Sequence, residues 1–206
     1  MRVRTRAVGA ILAGGGGRRI GGDKAIVELH GRPLISYPLE AVRQAVGRVA
    51  ILAKADTKLP YLSGVTVWIE PDPRRHPVIG IMQALALADG RPVLVCGADL
   101  PFVSVDLLKR LAKANPGRSP AVVACAQGEM QPLLGCYQRR ALPALSALAS
   151  AATRPLRETI AGIDPVLLEV GDPDELFDVD SPDDLLQAAA MMDRRRLPAP
   201  RGPNRT

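Results

Sequence analysis

Apolar positions along the chain fall into short unbroken runs, separated by stretches in which they recur at about the 3.6-residue spacing of a helix. Val8-Gly9-Ala10-Ile11-Leu12 reads as a first strand, Arg48 to Ala53 as a second and Val65 to Ile69 as a third. Pro92 to Cys96 reads as a fourth strand and Ala121 to Cys125 as a fifth. Leu34–Val46, Ile79–Ala88 and Val105–Ala114 carry the helical spacing, the last with Asp106 in its first turn. The strands are apolar throughout rather than alternating, as strands buried on both faces are. Strands alternating with helices mean crossover connections and parallel pairing. The expected fold is a single-domain, Rossmann-like three-layer α/β arrangement, a mostly parallel sheet with helices on both faces.

Ligands of such sheets bind beyond the carboxyl ends of the strands. The first strand runs into a glycine-rich loop, and the fourth ends in Gly97-Ala98-Asp99. Composition then limits the picture. Aromatic residues are 3% of the 206, so the core must be aliphatic. Of the net charge of +6, the last fourteen residues supply +4, from five arginines and one aspartate. Residues 193–206, rich in Pro and Arg, are expected to be a disordered tail, and 1–192 one domain. With the charge concentrated there, no nucleic-acid-binding domain is indicated. No apolar run approaches the ~18 residues of a membrane span. The basic start and the apolar stretch from Ala7 lack a cleavage pattern and read as a buried strand, so a cytoplasmic protein is expected. Cys96, Cys125 and Cys136 have no CxxC spacing and read as small buried residues.

The loop Leu12-Ala13-Gly14-Gly15-Gly16-Gly17-Arg18-Arg19-Ile20-Gly21-Gly22-Asp23-Lys24 holds six glycines and three basic residues. Glycines let backbone N–H groups approach an anion closely, and the cations add charge suited to a triphosphate. A Walker loop would need Lys directly after the glycine and then Ser or Thr. Here Asp23 separates Gly22 from Lys24, and Ala25 follows. A GxGxxG dinucleotide fingerprint fails as well, at Arg19 or at Ile20.

The loop resembles the LAGGxxxRMGxDK signature of the molybdenum cofactor guanylyltransferase family, with Ile20 in place of the methionine. The resemblance continues through Leu29-His30-Gly31-Arg32-Pro33-Leu34, Pro77-Val78-Ile79-Gly80, Asp99-Leu100-Pro101-Phe102, Gln131-Pro132-Leu133 and Asp180-Ser181-Pro182-Asp183-Asp184-Leu185. It implies that Leu12, Ala13, Gly14 and Gly15 bind the nucleotide, the first three contacting base and ribose through their backbone. It implies that Arg19 and Lys24 hold the triphosphate. It also implies an acidic nucleotide contact after the third strand, which Glu70 or Asp72 could supply. The asparagine that the family often carries after the second strand falls on Ala53.

Position and family pattern together make Asp99 a Mg2+ ligand, and Asp180 the candidate for a second. Magnesium prefers few carboxylates plus phosphate oxygens. Asp178 and Asp180, two apart on an extended segment, face the same way. Ser181 before Pro182 reads as a helix N-cap, with Asp183 and Asp184 in a structural role at the helix start. His30 and His76 lack partners at any catalytic spacing and read as loop residues. The resemblance implies transfer of GMP from GTP to the phosphate of molybdenum-bearing molybdopterin, with catalysis by Arg19, Lys24 and Asp99. Expected partners are GTP, a molybdopterin-type substrate, and enzymes or chaperones that accept the finished cofactor. The alternatives are a cytidylyltransferase of the same pathway, towards which Asp178 and Asp180 lean, a sugar-phosphate nucleotidyltransferase, and a non-catalytic nucleotide-binding module.

Overall fold

The computed structural model describes residues 6–14, 24–71, 74, 76–149 and 154–196. Gly15, Arg18, Arg19, Asp72 and residues 197–206, all named above, lie outside the described residues. In chain order the elements are β1 Val8–Leu12, the hairpin β2 Glu28–Leu29 and β3 Arg32–Pro33, α1 Ser36–Ala45, β4 Val49–Ala53, β5 Thr66–Ile69, α2 Pro77–Leu87, β6 Val93–Gly97 and α3 Val105–Lys113. Then come β7 Ala121–Ala126, β8 Glu129–Tyr137, α4 Leu142–Ala149, α5 Leu156–Ala161, β9 Val166–Glu169 and α6 Pro182–Arg196. Every strand and helix expected from the sequence is present within about two residues of its expected ends, the scatter normal for element boundaries.

The main sheet has the order β5-β4-β1-β6-β8-β7-β9. All its strands run the same way except β8, which is antiparallel to both β6 and β7. Successive side chains of each strand enter opposite layers. Ile11, Ile51, Leu94 and Cys96 pack under α1 and α3, in one core cluster with Leu39, Val42, Leu107 and Leu111. Val8, Ala10, Val93 and Val95 pack on the other face with Val78, Ile81 and Leu85 of α2, Leu145 of α4 and Ile160 of α5. That is the three-layer architecture expected, and the large fully buried side chains are mostly Leu and Ile. All three cysteines are free and buried.

Two expectations change. The sheet's edges are not buried on both sides: Val67 and Ile69 of β5 are 42% and 50% exposed, as a strand with one neighbour permits. The C-terminal helix α6 runs on through Arg196, so residues 193–196 are helical rather than part of a tail. Arg195 anchors that last turn by stacking on the Phe102 ring and pairing with Asp172 and Asp174. A third small core, Leu29, Leu34, Phe102, Val179, Met191 and others, glues α6 and the β2–β3 hairpin to the sheet's carboxyl end. Among the described residues, no helix is long and apolar enough to cross a membrane.

Candidate active site

Four parallel strands, β5, β4, β1 and β6, end side by side, and the segments just beyond them line an open cleft of about 570 Å3. Beyond β1 lie Ala13 and Gly14, beyond β4 Lys54, beyond β5 Glu70, and beyond β6 Ala98 and Asp99. Lys24, at the start of a single 3-10 turn, closes one side. The two strand ends singled out in the sequence thus meet in one place.

The chemistry centres on Lys24. Its Nζ donates to Asp99 Oδ2 at 2.9 Å and also to Asp180 Oδ1. Burial works to lower the ammonium's pKa, but Asp99 and then Asp180 outweigh it and hold it above its usual value. Asp180 comes from far along the chain because Val179 N–H donates to the Asp99 carbonyl at 3.0 Å, with the Val179 side chain buried in the third core. The alternation then leaves Asp178 and Asp180 on the other side. Asp178 is exposed by area, yet protein packed round its carboxyl, followed by the charges of Asp180 and Asp99, raises it above the ordinary carboxylate range. Three carboxylates therefore share one described ammonium. Two of them converge on a single cationic atom, the donor set Mg2+ takes from a protein when phosphate supplies the rest. Asp99 and Asp180 thus fit that ion.

Two local devices set these carboxylates. Gly97 is the first: a Cβ built there would overlap Asp99 Oδ1. Gly97→Ala is expected to turn the Asp99 carboxyl away from Lys24. Because a short side chain can move, the melting temperature should change little while the transfer rate falls severalfold or more. Parallel melts and initial rates check this, and an unchanged rate would contradict it. The second device is a capping box at α6. Ser181 Oγ accepts from Asp184 N–H at 3.2 Å, and Asp184 Oδ2 accepts from the N–H groups of Ser181 and Asp180 at 2.8 and 3.0 Å. The Ser181 hydroxyl also donates to Asp184, and this bond leads the effects that lower the Asp184 pKa. A depressed carboxylate contributes stability that is present above its unfolded pKa and lost as pH falls through the folded one. Asp184→Asn should therefore destabilise by ~1 kcal/mol at pH 7. That difference should start to shrink in urea melts as pH falls below the ordinary carboxylate value and vanish once the pH is below the lowered one; a gap that does not shrink with acidification would rule the role out.

Ala13 N–H donates to the Leu52 carbonyl, and the Leu12 carbonyl accepts from Ala98 N–H. Both groups extend the sheet, and Leu12, Ala13 and Gly14 line the cleft from there. Ala53 is 1% exposed and belongs to the core. Its neighbour Lys54, which the sequence reading passed over, faces the cleft and pairs with Glu70 at 2.7 Å. The signal was available, since Lys54 is the first residue beyond a buried strand. His76 was read as a loop residue; it caps α2, its Nδ1 accepting from Val78 N–H at 3.3 Å, and it lines the cleft. His30 sits in the β2–β3 turn against α6, near Asp193. Leu133 of β8 forms the far wall.

A family model described as the MobA-like NTP transferase domain matches residues 9–166 of the chain, the whole of β1 to β8 apart from Val8. The chain belongs to this family. It is a nucleotidyltransferase of the MobA-like type, and curated relatives agree. It is 34% identical to a molybdenum cofactor guanylyltransferase of Rhodobacter capsulatus, covering 95% of this chain and 100% of that protein. A protein of the same description from Cereibacter sphaeroides is 32% identical, over 91% of this chain and 97% of its own length. In three dimensions it resembles the molybdopterin-guanine dinucleotide biosynthesis protein A of Archaeoglobus fulgidus. That match has a TM-score of 0.75 at 24% identity, over 91% of this chain and 99% of the other. The likeness establishes the fold.

Proposed function

We propose that this MobA-like transferase moves GMP from GTP to the phosphate of molybdenum-bearing molybdopterin, releasing pyrophosphate and forming the guanine dinucleotide cofactor. The observation carrying this reading is the convergence of Lys24, Asp99 and Asp180 beside the Ala13-Gly14 strand end. The names of the curated relatives support the choice of GTP and acceptor. A phosphate oxygen of the acceptor attacks the α-phosphorus of GTP. A new P–O bond forms, the bond between the α-phosphorus and its bridging oxygen breaks, and pyrophosphate leaves with the electron pair. The nucleophile is already ionised, so no general base is needed.

The chain's own residues then position and neutralise. Gly14 lets the nucleotide approach the end of β1, and the resemblance adds Gly15 to the nucleotide-binding set. Lys24, with Arg19, meets the triphosphate. Asp99 and Asp180 would hold Mg2+, which when bound supplies charge neutralisation at the phosphate oxygens. Glu70 or Asp72 contacts the nucleoside. A location in the cytoplasm, with cofactor-accepting enzymes or chaperones as partners, completes the reading. A cytidylyl activity is the second reading, favoured by aspartate rather than asparagine at 178 and 180.

The test is pyrophosphate release from GTP, CTP, ATP or UTP with Mg2+ and molybdopterin, alongside thermal shift with each nucleotide. A ligand at ~100 times its dissociation constant stabilises by about 2.7 kcal/mol. Release and stabilisation with GTP are expected. Either one with CTP and not with GTP would overturn the guanylyl reading.

A further inference from the structure

Lys54 and Glu70 form an ion pair at the floor of the cleft, 2.7 Å between Nζ and Oε2, with side chains only 7% and 5% exposed. Taking two charges out of water is costly, and such a pair is a poor source of stability unless both members are further hydrogen-bonded. Here both are fixed. Lys54 Nζ donates to the Arg74 carbonyl at 2.8 Å, and its backbone N–H donates to Thr57 Oγ1 at 3.0 Å, closing the turn after β4. Glu70 N–H continues the ladder to the Ala53 carbonyl at 2.9 Å. The second oxygen of Glu70 points elsewhere. A Cβ at Gly14 would lie 3.3 Å from Oε1, and one at Gly80 would lie 3.1 Å away. Two glycines, one on the nucleotide loop and one in α2, leave the room that this oxygen occupies. The two oxygens are thus divided between a buried ammonium and the Gly14 side of the cleft.

A carboxylate only accepts hydrogen bonds. A base that meets it with adjacent N–H groups on one edge is matched, and guanine presents N1–H beside its N2 amino group. Cytosine presents one amino group beside ring and carbonyl acceptors, which a carboxylate repels. We propose that Lys54 is a positioning residue for base selection, which fixes Glu70 so that one of its oxygens faces the base and favours guanine. The inference deepens the guanylyl reading above and rests on it. Lys54 touches Glu70 rather than the reacting phosphates, so its loss should change which base is bound more than how fast bound substrate reacts.

The test is titration of the protein with Mg2+ and GTP, ITP or CTP, where ITP is GTP without the N2 amino group. The unaltered protein should prefer GTP to ITP by about tenfold, the scale of one hydrogen bond to a charged group. In Lys54→Met, GTP binding should weaken ten- to hundredfold and the GTP:ITP ratio should fall towards one. Lys54→Arg should restore part of the ratio. If Lys54→Met does not fold, Lys54→Gln, which leaves Glu70 intact and keeps an amide donor among the buried partners, carries the comparison. A folded variant lacking Lys54 that keeps the full GTP:ITP ratio would overturn the proposal. Should the unaltered protein prefer CTP, the guanylyl reading fails by itself; Lys54 then stands or falls on whether its loss moves the CTP:GTP ratio.

Discussion

Asp99→Asn is expected to lower the rate of nucleotidyl transfer at least ~10²-fold, about 2.7 kcal/mol of transition-state stabilisation. The substitution keeps the shape and an oxygen that can still accept from Lys24, so the change is one of charge. Asp99 lies two residues beyond a fully buried strand, its backbone carbonyl is tied to Val179, and its side chain is 19% exposed. A side chain so fixed has little freedom to compensate, and a half-buried site screens charge weakly. Single-turnover rates with saturating GTP and acceptor measure the effect, with melting curves to show that the fold is kept. Near-normal turnover in Asp99→Asn would remove Asp99 from the mechanism.

Lys24→Met should be costlier still, about 10²- to 10³-fold in rate, because it removes the proposed triphosphate contact and also unbalances the acidic cluster. Its second signature appears without any nucleotide. Asp99 and Asp180 both reach the Lys24 ammonium, which is 16% exposed. With the ammonium gone, two carboxylates face each other with no cation between them, and like charges at that range repel. Mg2+ alone should then stabilise Lys24→Met against heat more than it stabilises the unaltered protein, where the ammonium already fills the role. Equal shifts in the two proteins would mean that Lys24 and the metal do not share the carboxylates.

The sheet was legible because its parallel strands are continuous apolar runs, and the site because two of those runs end in residues with chemistry. Gly14, Lys24 and Asp99 stand out for that reason. The reversed strand β8 was not legible. Its sequence, Glu-Met-Gln-Pro-Leu-Leu-Gly-Cys-Tyr, contains proline and glycine, which ordinarily argue against a central strand. Both have local reasons here. Pairing with β7 jumps from Gly135 to Gln131 as β7 advances by one residue, so Pro132 sits in a bulge where no ladder N–H is required. A Cβ at Gly135 would lie 2.8 Å from the Val122 carbonyl. The β9 strand was missed because three of its four residues are exposed and none is fully buried, which leaves no apolar run to read. Lys54 was missed because a lone lysine after a strand has no spacing partner, and its partner Glu70 is set by the pairing of β4 with β5. The helical residues 193–196 were missed because Arg and Asp carry no apolar periodicity; Arg195 is held by an aromatic face and two aspartates instead.

Because β8 runs against its neighbours, it starts where they end. The cleft is therefore built from two kinds of backbone. The strand ends that hold Gly14, Lys54, Glu70 and Asp99 are locked in parallel register, and a shift in one would displace the others. The opposite wall, at Leu133, belongs to a bulged stretch that follows the tight turn at Gln127-Gly128. Residues can be exchanged, added or removed in that wall without disturbing the register of β1, β4 and β6. That wall can therefore be reshaped while the half that holds Gly14, Lys54, Glu70 and Asp99 stays unchanged, and a directed library confined to residues 127–133 would vary that wall alone.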